Sequence, residues 1–551
     1  MSQSPALVED EENKALLQEE DGHVDWRQPD ITILKASRTT SWHQVARKSV
    51  LVLVVLATGL LIRAIWFQHS NDSHPNLTFH ESEMRSNGTH DFKRTVLMVS
   101  IDGLRADYLD RGLTPHLLAI SKKGLRAKSM QPIFPVCLLF AFNLLKYLDD
   151  QLDLDFSIHV RSDVSNHWTL MTGLYAESHG IVANNFWDPV SQTEFQYNRV
   201  ESCWNASWWY GEPVWETAEK AGIRSANLMW QVSLERLASL LFNAIILVRL
   251  GPPKTTRGIS STYFVPWKAS ETDKVPLDNK LDQILRWLDL PLVERPQLIL
   301  AYEPSLDQAG HKAGPGSALV NATLREVDLF AKNLHDNLEV RNLTDIVDVV
   351  FVSDHGMTDT SHPELVYVDD IIGKEGMAAI EHEDGWPAMG FWFNSQSNIP
   401  KYLDLLLNAS TKNPEKFAVY THDSMPQKYH FANNERIAPI YVIPSIGYAL
   451  TTHAEGTDGM IKGNHGYDNH ELSMHAMFIA HGPFSKVVKD LHQERKRLVT
   501  RAKGWHSTAE DTYIMDRFQN VEIYNLIVKL LGISETAANT NGTRGFWDTY
   551  L

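Results

Sequence analysis

Residues 347–357, VDVVFVSDHGM, decide the reading of this chain. Val347 to Val352 is apolar except for Asp348, has the length of a buried strand, and ends at a polar turn. Directly past it stand Asp354 and His355, a carboxylate and an imidazole placed where the strand gives way to a loop. The arrangement recurs. Asp102 closes TVLMVSIDG (residues 95–103), Asp307 and His311 follow the apolar run in PQLILAYEPSLDQAGH (296–311), and His465 lies in KGNHGYDN (462–469). One aspartate at a strand end is an ordinary turn residue, and among 24 histidines a single one carries little weight. Six such groups from distant parts of the chain point to a shared site. Ligands of an open α/β sheet bind beyond the carboxyl ends of its strands, so these side chains can meet in one crevice. Six imidazole and carboxylate donors suffice for two metal ions.

Apolar strand-like runs alternate with helix-like stretches such as TPHLLAISKKG and ETDKVPLDNKLDQILRWLDL, which predicts an α/β/α sandwich with a largely parallel sheet. With 551 residues, 43% hydrophobic content and 16 Trp, the chain can build a large core. The net charge of −17 excludes a basic face for nucleic-acid polymers.

The segments VSIDGLRADYL, NHWTLMTGLYAESHGIVANNFWDP, GEPVWETAEKAG, YEPSLDQAGHKAGP, VSDHGM and KGNHGYDN resemble the ectonucleotide pyrophosphatase/phosphodiesterase family of the alkaline phosphatase superfamily, from about Thr95 to Phe484. The resemblance implies an alkaline-phosphatase-like fold and two Zn2+ that serve the hydrolysis of nucleotide pyrophosphate and phosphodiester bonds through a covalent phospho-enzyme. It also implies Asp307, His311 and His465 on one zinc, Asp102, Asp354 and His355 on the other, Asn184 on a non-bridging phosphate oxygen, and Tyr263 near the substrate base.

The chain departs from the family at the nucleophile. Where the resemblance implies a Thr opening a Thr-Phe-Pro segment before Asn166-His167-Trp168, Asp163 stands instead. Residues 136–165 interpose about thirty residues with no counterpart in the family pattern, and residues 231–250 form a second such stretch. Gln231-Val232-Ser233 can be encoded as CAG-GTG-AGT, which contains a splice-donor consensus, so both segments read as errors in the coding sequence. Their apolar spacing would also suit an amphipathic helix each. Asp163 could attack phosphorus only as carboxylates do in aspartyl-phosphate enzymes.

Residues 1–48 are polar and predict a cytosolic disordered tail. Residues 49–67 supply about 18 apolar or interfacial positions, enough for one membrane span. A cleaved signal peptide is the rival, but 48 preceding residues are too many for its charged leader. Arg38, Arg47 and Lys48 precede the span, which predicts a type II orientation with the catalytic region extracellular or luminal. Glycosylation sequons at Asn71, Asn76, Asn87, Asn205, Asn321, Asn342, Asn408 and Asn541 all follow the span. A stalk over 68–94, a catalytic domain over 95–485 with an insertion at about 361–460, and a C-terminal tail with a helix over 486–551 complete the expected organisation. Cys137 and Cys203 predict no disulfide.

Three functions fit this pattern: a nucleotide pyrophosphatase/phosphodiesterase acting on a small nucleotide or other phosphodiester, a related phosphotransferase of the same superfamily, and a zinc-binding pseudoenzyme that lacks its nucleophilic Thr.

Overall fold

A computed structural model describes Thr58 and residues 83–135, 164–197, 199–229, 255–265, 275–457, 460–489, 505–508 and 512–550. The chain divides into two units, Met1–Ser73 and His74–Leu551. In the first only Thr58 is described; the second holds all the architecture given below. The expected tail 1–48, the other residues of the expected span 49–67, the stretch 231–250, and all of 136–165 except Val164 and Ser165 lie outside the described residues. Among the described residues no helix is long and apolar enough to cross a membrane.

Nine strands form the main sheet: β1 (Thr95–Ile101), β2 (Leu125–Ala127), β3 (Ser225–Leu228), β4 (Tyr263–Val265), β5 (Leu298–Glu303), β6 (Val347–Val352), β7 (Phe478–His481), β8 (Trp505–Thr508) and β9 (Thr512–Met515). Their order is β8-β9-β2-β7-β6-β1-β5-β3-β4. β1, β5 and β6 are buried at every residue, which explains why they read as continuous apolar runs rather than alternating ones. Their register is tight: Ile101 pairs with Glu303, and Ser100 pairs with both Tyr302 and Val352. The three strands therefore end level, and the residues that follow them emerge at one edge.

The sheet is largely parallel, as expected, with β7 and β8 running against the other seven strands. β4, β3, β5, β1 and β6 run parallel. β7 then runs antiparallel to β6. The reason lies in the chain path, because β7 follows the His465 loop and so enters the sheet from the metal-ligand edge. The expected C-terminal tail also belongs to the core. β9 pairs in parallel with β2, and the helix Glu522–Leu531 buries Ile523, Tyr524, Leu526, Ile527, Leu530 and Leu531.

Residues 364–451 build a separate α/β layer. Its four-stranded antiparallel sheet joins Ile380–Asp384, Met389–Phe393, Ile440–Pro444 and Phe417–Tyr420, and Phe391, Tyr402, Leu406, Phe417, Ile440 and Val442 form its own hydrophobic cluster. Arg436 pins this layer to the main body through hydrogen bonds to the Gly180 and Trp208 carbonyls. Of the sequons, Asn71 and Asn76 lie outside the described residues, Asn205, Asn342, Asn408 and Asn541 are exposed, and Asn87 and Asn321 are half-buried. The amide nitrogen of Asn87 donates to the Arg341 carbonyl. Cys203 is buried; Cys137 is not described.

Candidate two-metal centre

Helices α1 (Val164–Thr172) and α2 (Ser305–Ala313) and the loops after β1 and β6 converge at the level strand ends. Asp307 and His311, four apart on α2, face the same way, with Nε2 of His311 3.2 Å from Oδ1 of Asp307. Nε2 of His465 stands 3.2 Å from Nε2 of His311 and 3.6 Å from Oδ1 of Asp307. Nε2 of His355 lies 3.1 Å from Oδ2 of Asp354 and 3.4 Å from Oδ1 of Asp102. The His355 and His465 rings stack at 3.6 Å between centroids, joining the two groups. All six side chains are buried. The structure thus brings together every residue expected as a metal ligand.

The local backbone explains the placement. Gly103 adopts φ +69°, and a Cβ there would come within 3.1 Å of Asp307 Cα, so only glycine lets Asp102 and α2 approach so closely. Nδ1 of His311 lies 2.8 Å from the Gly463 carbonyl and Nδ1 of His355 lies 2.8 Å from the Gly356 carbonyl. A carbonyl only accepts, so each Nδ1 carries the proton and each Nε2 turns a lone pair inward. Oδ1 of Asp102, both oxygens of Asp307, Oδ2 of Asp354 and Nε2 of His355 make no aligned hydrogen bond despite full burial.

Three carboxylates buried together without a lysine or arginine among them are costly unless cations neutralise them. Burial, reinforced by the charges of Asp354 and Asp307, pushes the Asp102 carboxyl well above its usual range. Burial acts the same way on Asp354, but His355, His167 and the hydrogen bond with Asp102 outweigh it and hold Asp354 below its usual value. The two aspartates titrate as a pair, with the proton on Asp102. An unsatisfied, lone-pair-rich cavity of carboxylate and imidazole fits divalent cations. Three overlapping groups are close enough to ligate: Asp307, His311 and His465; Asp102, Asp307 and His355; and Asp102, His167 and Asp354.

Asn184 is buried beside this centre's helix. Its Oδ1 accepts from the backbone N–H of Val164, the first residue of α1, and its Nδ2 has no hydrogen-bond partner among the described residues. Asp163, expected at the nucleophile position, lies outside the described residues. Tyr263 sits on the edge strand β4, separated from β5 by β3; its hydroxyl donates to the Glu294 carbonyl and its ring packs 6.3 Å from Trp287. Sequence reasoning missed His167 and Tyr302. His167 lies inside α1 and Tyr302 inside β5, so neither carries the strand-end signal that marked the ligands.

A largely parallel α/β sheet with candidate cation-binding groups beyond its central strands is an alkaline-phosphatase-like fold. The family profile of type I phosphodiesterase/nucleotide pyrophosphatase matches residues 96–137 and 160–468, and the chain belongs to that family. An uncharacterized pyrophosphatase/phosphodiesterase of Schizosaccharomyces pombe is 35% identical over 465 residues, 83% of this chain and 80% of that protein. Mouse ectonucleotide pyrophosphatase/phosphodiesterase family member 3 is 30% identical over 459 residues, 82% of this chain but 43% of its own length. A solved structure of murine ectonucleotide pyrophosphatase/phosphodiesterase 5, an inactive Thr-to-Ala form in complex with AMP, aligns with TM-score 0.62 at 25% identity, covering 83% of this chain and 99% of that one.

Proposed function

We propose that the chain is a hydrolase of nucleotide pyrophosphate and phosphodiester bonds that uses two Zn2+ and a covalent phospho-enzyme. The observation that carries this is the set of unsatisfied, fully buried carboxylate and imidazole atoms at the level ends of β1, β5 and β6. Asp307, His311 and His465 would hold one cation, and Asp102, Asp354 and His355 the other. When bound, the cations neutralise the phosphoryl group and stabilise the attacking and leaving oxygens of an in-line displacement. The chain's own part is placement. The carbonyls of Gly463 and Gly356 fix the tautomers of His311 and His355, and the unpartnered Nδ2 of Asn184 supplies a donor for a non-bridging phosphate oxygen. The AMP complex of the murine relative supports a nucleotide as substrate.

A specific observation favours a second reading for this exact chain, namely that it is catalytically impaired. Asp163 replaces the expected Thr, and the family profile passes over residues 138–159, most of the unmatched stretch. That gap supports an error in the coding sequence there. A version with Thr-Phe-Pro rebuilt directly before Asn166 tests both readings on a nitrophenyl ester of a nucleotide at matched metal content. A rebuilt chain that turns over while the original does not supports the hydrolase with an impaired variant; two inactive chains with full metal occupancy refute it.

We further propose that residues 49–67 form a single type II membrane span with the catalytic domain extracellular or luminal. The motivation is the apolar stretch, the preceding Arg47 and Lys48, and the sequons that all follow it. Extraction of the full-length protein by alkaline carbonate, without detergent, would refute this.

A further inference from the structure

We infer that His167 and Tyr302 are positioning residues that aim the metal-binding carboxylates of Asp354 and Asp102, and that His167 is not itself a ligand. The inference rests on the metal-dependent reading of the site and deepens it. His167 lies in α1, one residue past Asn166, and is 1% exposed. Its Nδ1 stands 3.2 Å from Oδ2 of Asp354, a close contact that is not fully aligned. Its Nε2 stands 3.1 Å from Oγ of Ser100 on β1. A carboxylate only accepts, so the proton belongs on Nδ1. Ser100 Oγ then donates to Nε2. Both ring nitrogens are committed, and no lone pair remains for a cation, although Asp102, His167 and Asp354 are close enough together to form a ligand group.

Tyr302 does the equivalent for Asp102. It pairs in register with Ser100 across β5 and β1, and its hydroxyl donates to Oδ2 of Asp102. The carboxylate is thereby turned so that Oδ1 is left without a partner. The edge of one ring meets the face of the other, with His167 and Tyr302 centroids 4.9 Å apart at 86°. The two props brace each other as well as their carboxylates. A third support comes from the Gly103 N–H, which donates to Oδ1 of Asp354. Asp102 is thus held through Oδ2 with Oδ1 left for a cation, while Asp354 is held through Oδ1 by Gly103 and aimed through Oδ2 by His167, that oxygen keeping a second lone pair for a cation. Partners of this kind typically change metal affinity by about 10- to 100-fold.

The test is Zn2+ affinity by competition with a chromophoric chelator, together with the visible spectrum of the Co2+-loaded protein. His167→Ala and His167→Gln should weaken Zn2+ binding about 10- to 100-fold. His167→Asn should stay close to the unaltered chain, because its amide nitrogen sits where Nδ1 sits and can still donate to Asp354. The Co2+ bands of His167→Asn should keep their positions. Tyr302→Phe, which keeps the ring and loses only the donor, should weaken binding about tenfold and remains informative if His167→Ala does not fold. Unchanged Zn2+ affinity in both His167→Ala and Tyr302→Phe overturns the inference, as does a Co2+ spectrum of His167→Asn altered as by a lost imidazole ligand. An unaltered chain that binds no metal overturns the proposed function and this inference with it; one that binds metal while the variants match it overturns the inference alone.

Discussion

Asp307→Asn should raise the stability of the metal-free protein while lowering its affinity for metal. The expectation follows from what surrounds the carboxylate. Asp307 is fully buried, neither of its oxygens makes a hydrogen bond among the described residues, and its Oδ1 faces Nε2 of His311 at 3.2 Å and Nε2 of His465 at 3.6 Å. The Nε2 of His311 presents a lone pair, because its Nδ1 proton is engaged by the Gly463 carbonyl. Lone pair therefore faces lone pair, with a buried charge beside Asp102. An amide of the same shape removes the charge and offers an N–H to His311. Forming that hydrogen bond contributes about 1 kcal/mol, and relief of an uncompensated buried charge adds a further amount of about 1–3 kcal/mol. In excess chelator, urea unfolding should show a gain of about 2 kcal/mol, with an unchanged slope against denaturant. With Zn2+ present the order reverses, because stabilisation by a ligand grows with its affinity, and loss of one charged ligand should cost at least about 100-fold in binding. A variant that is less stable than the parent in chelator, or that binds Zn2+ as tightly, would refute the assignment of Asp307 to a cation.

Three other outcomes are expected. Asp348, 8% exposed at the start of β6 with Arg94, Arg85 and the Phe484 N–H around it, is pushed up to about 7 by burial. Its folded form holds the proton more tightly than the unfolded form, so stability is greatest at low pH, falls between pH 3.8 and about 7, and is lowest above. Asp348→Asn should therefore stabilise at pH 8 by up to about 4 kcal/mol and leave stability at pH 3.5 nearly unchanged, measured by urea midpoints; a pH-independent effect would contradict it. In the Thr-rebuilt chain, Asn184→Ala should lower kcat by about 10- to 100-fold with little change in bound metal, and loss of metal instead would make Asn184 a structural residue. Rebuilding Thr-Phe-Pro before Asn166 should itself raise turnover by at least about 100-fold, and equal rates would mean that another residue supplies the nucleophile.

The central strands were legible in the sequence because burial on both faces makes them continuous apolar runs, and the ligands were legible because polar residues interrupt those runs at the strand ends. Direction was not. PHE-ILE-ALA-HIS of β7 has the same apolar character as β5, and only the point where the chain re-enters, past His465, makes it antiparallel. The C-terminal strands were missed because β8 and β9 are only four residues each, and the pairing of β9 with β2 is a contact between residues nearly 400 apart. His167 and Tyr302 carry no local signature. What marks them is the register that sets Tyr302 beside Ser100 and the packing that drops α1 onto both.

The central claim is that this fold holds two cations on which phosphodiester hydrolysis depends. Metal analysis of the purified, Thr-rebuilt chain, coupled to turnover of a nitrophenyl nucleotide ester before chelation, after chelation and after Zn2+ is restored, addresses it most directly. The account predicts two ions per chain, loss of turnover with their removal, and recovery on their return. Unchanged turnover in a chain stripped of metal would contradict it.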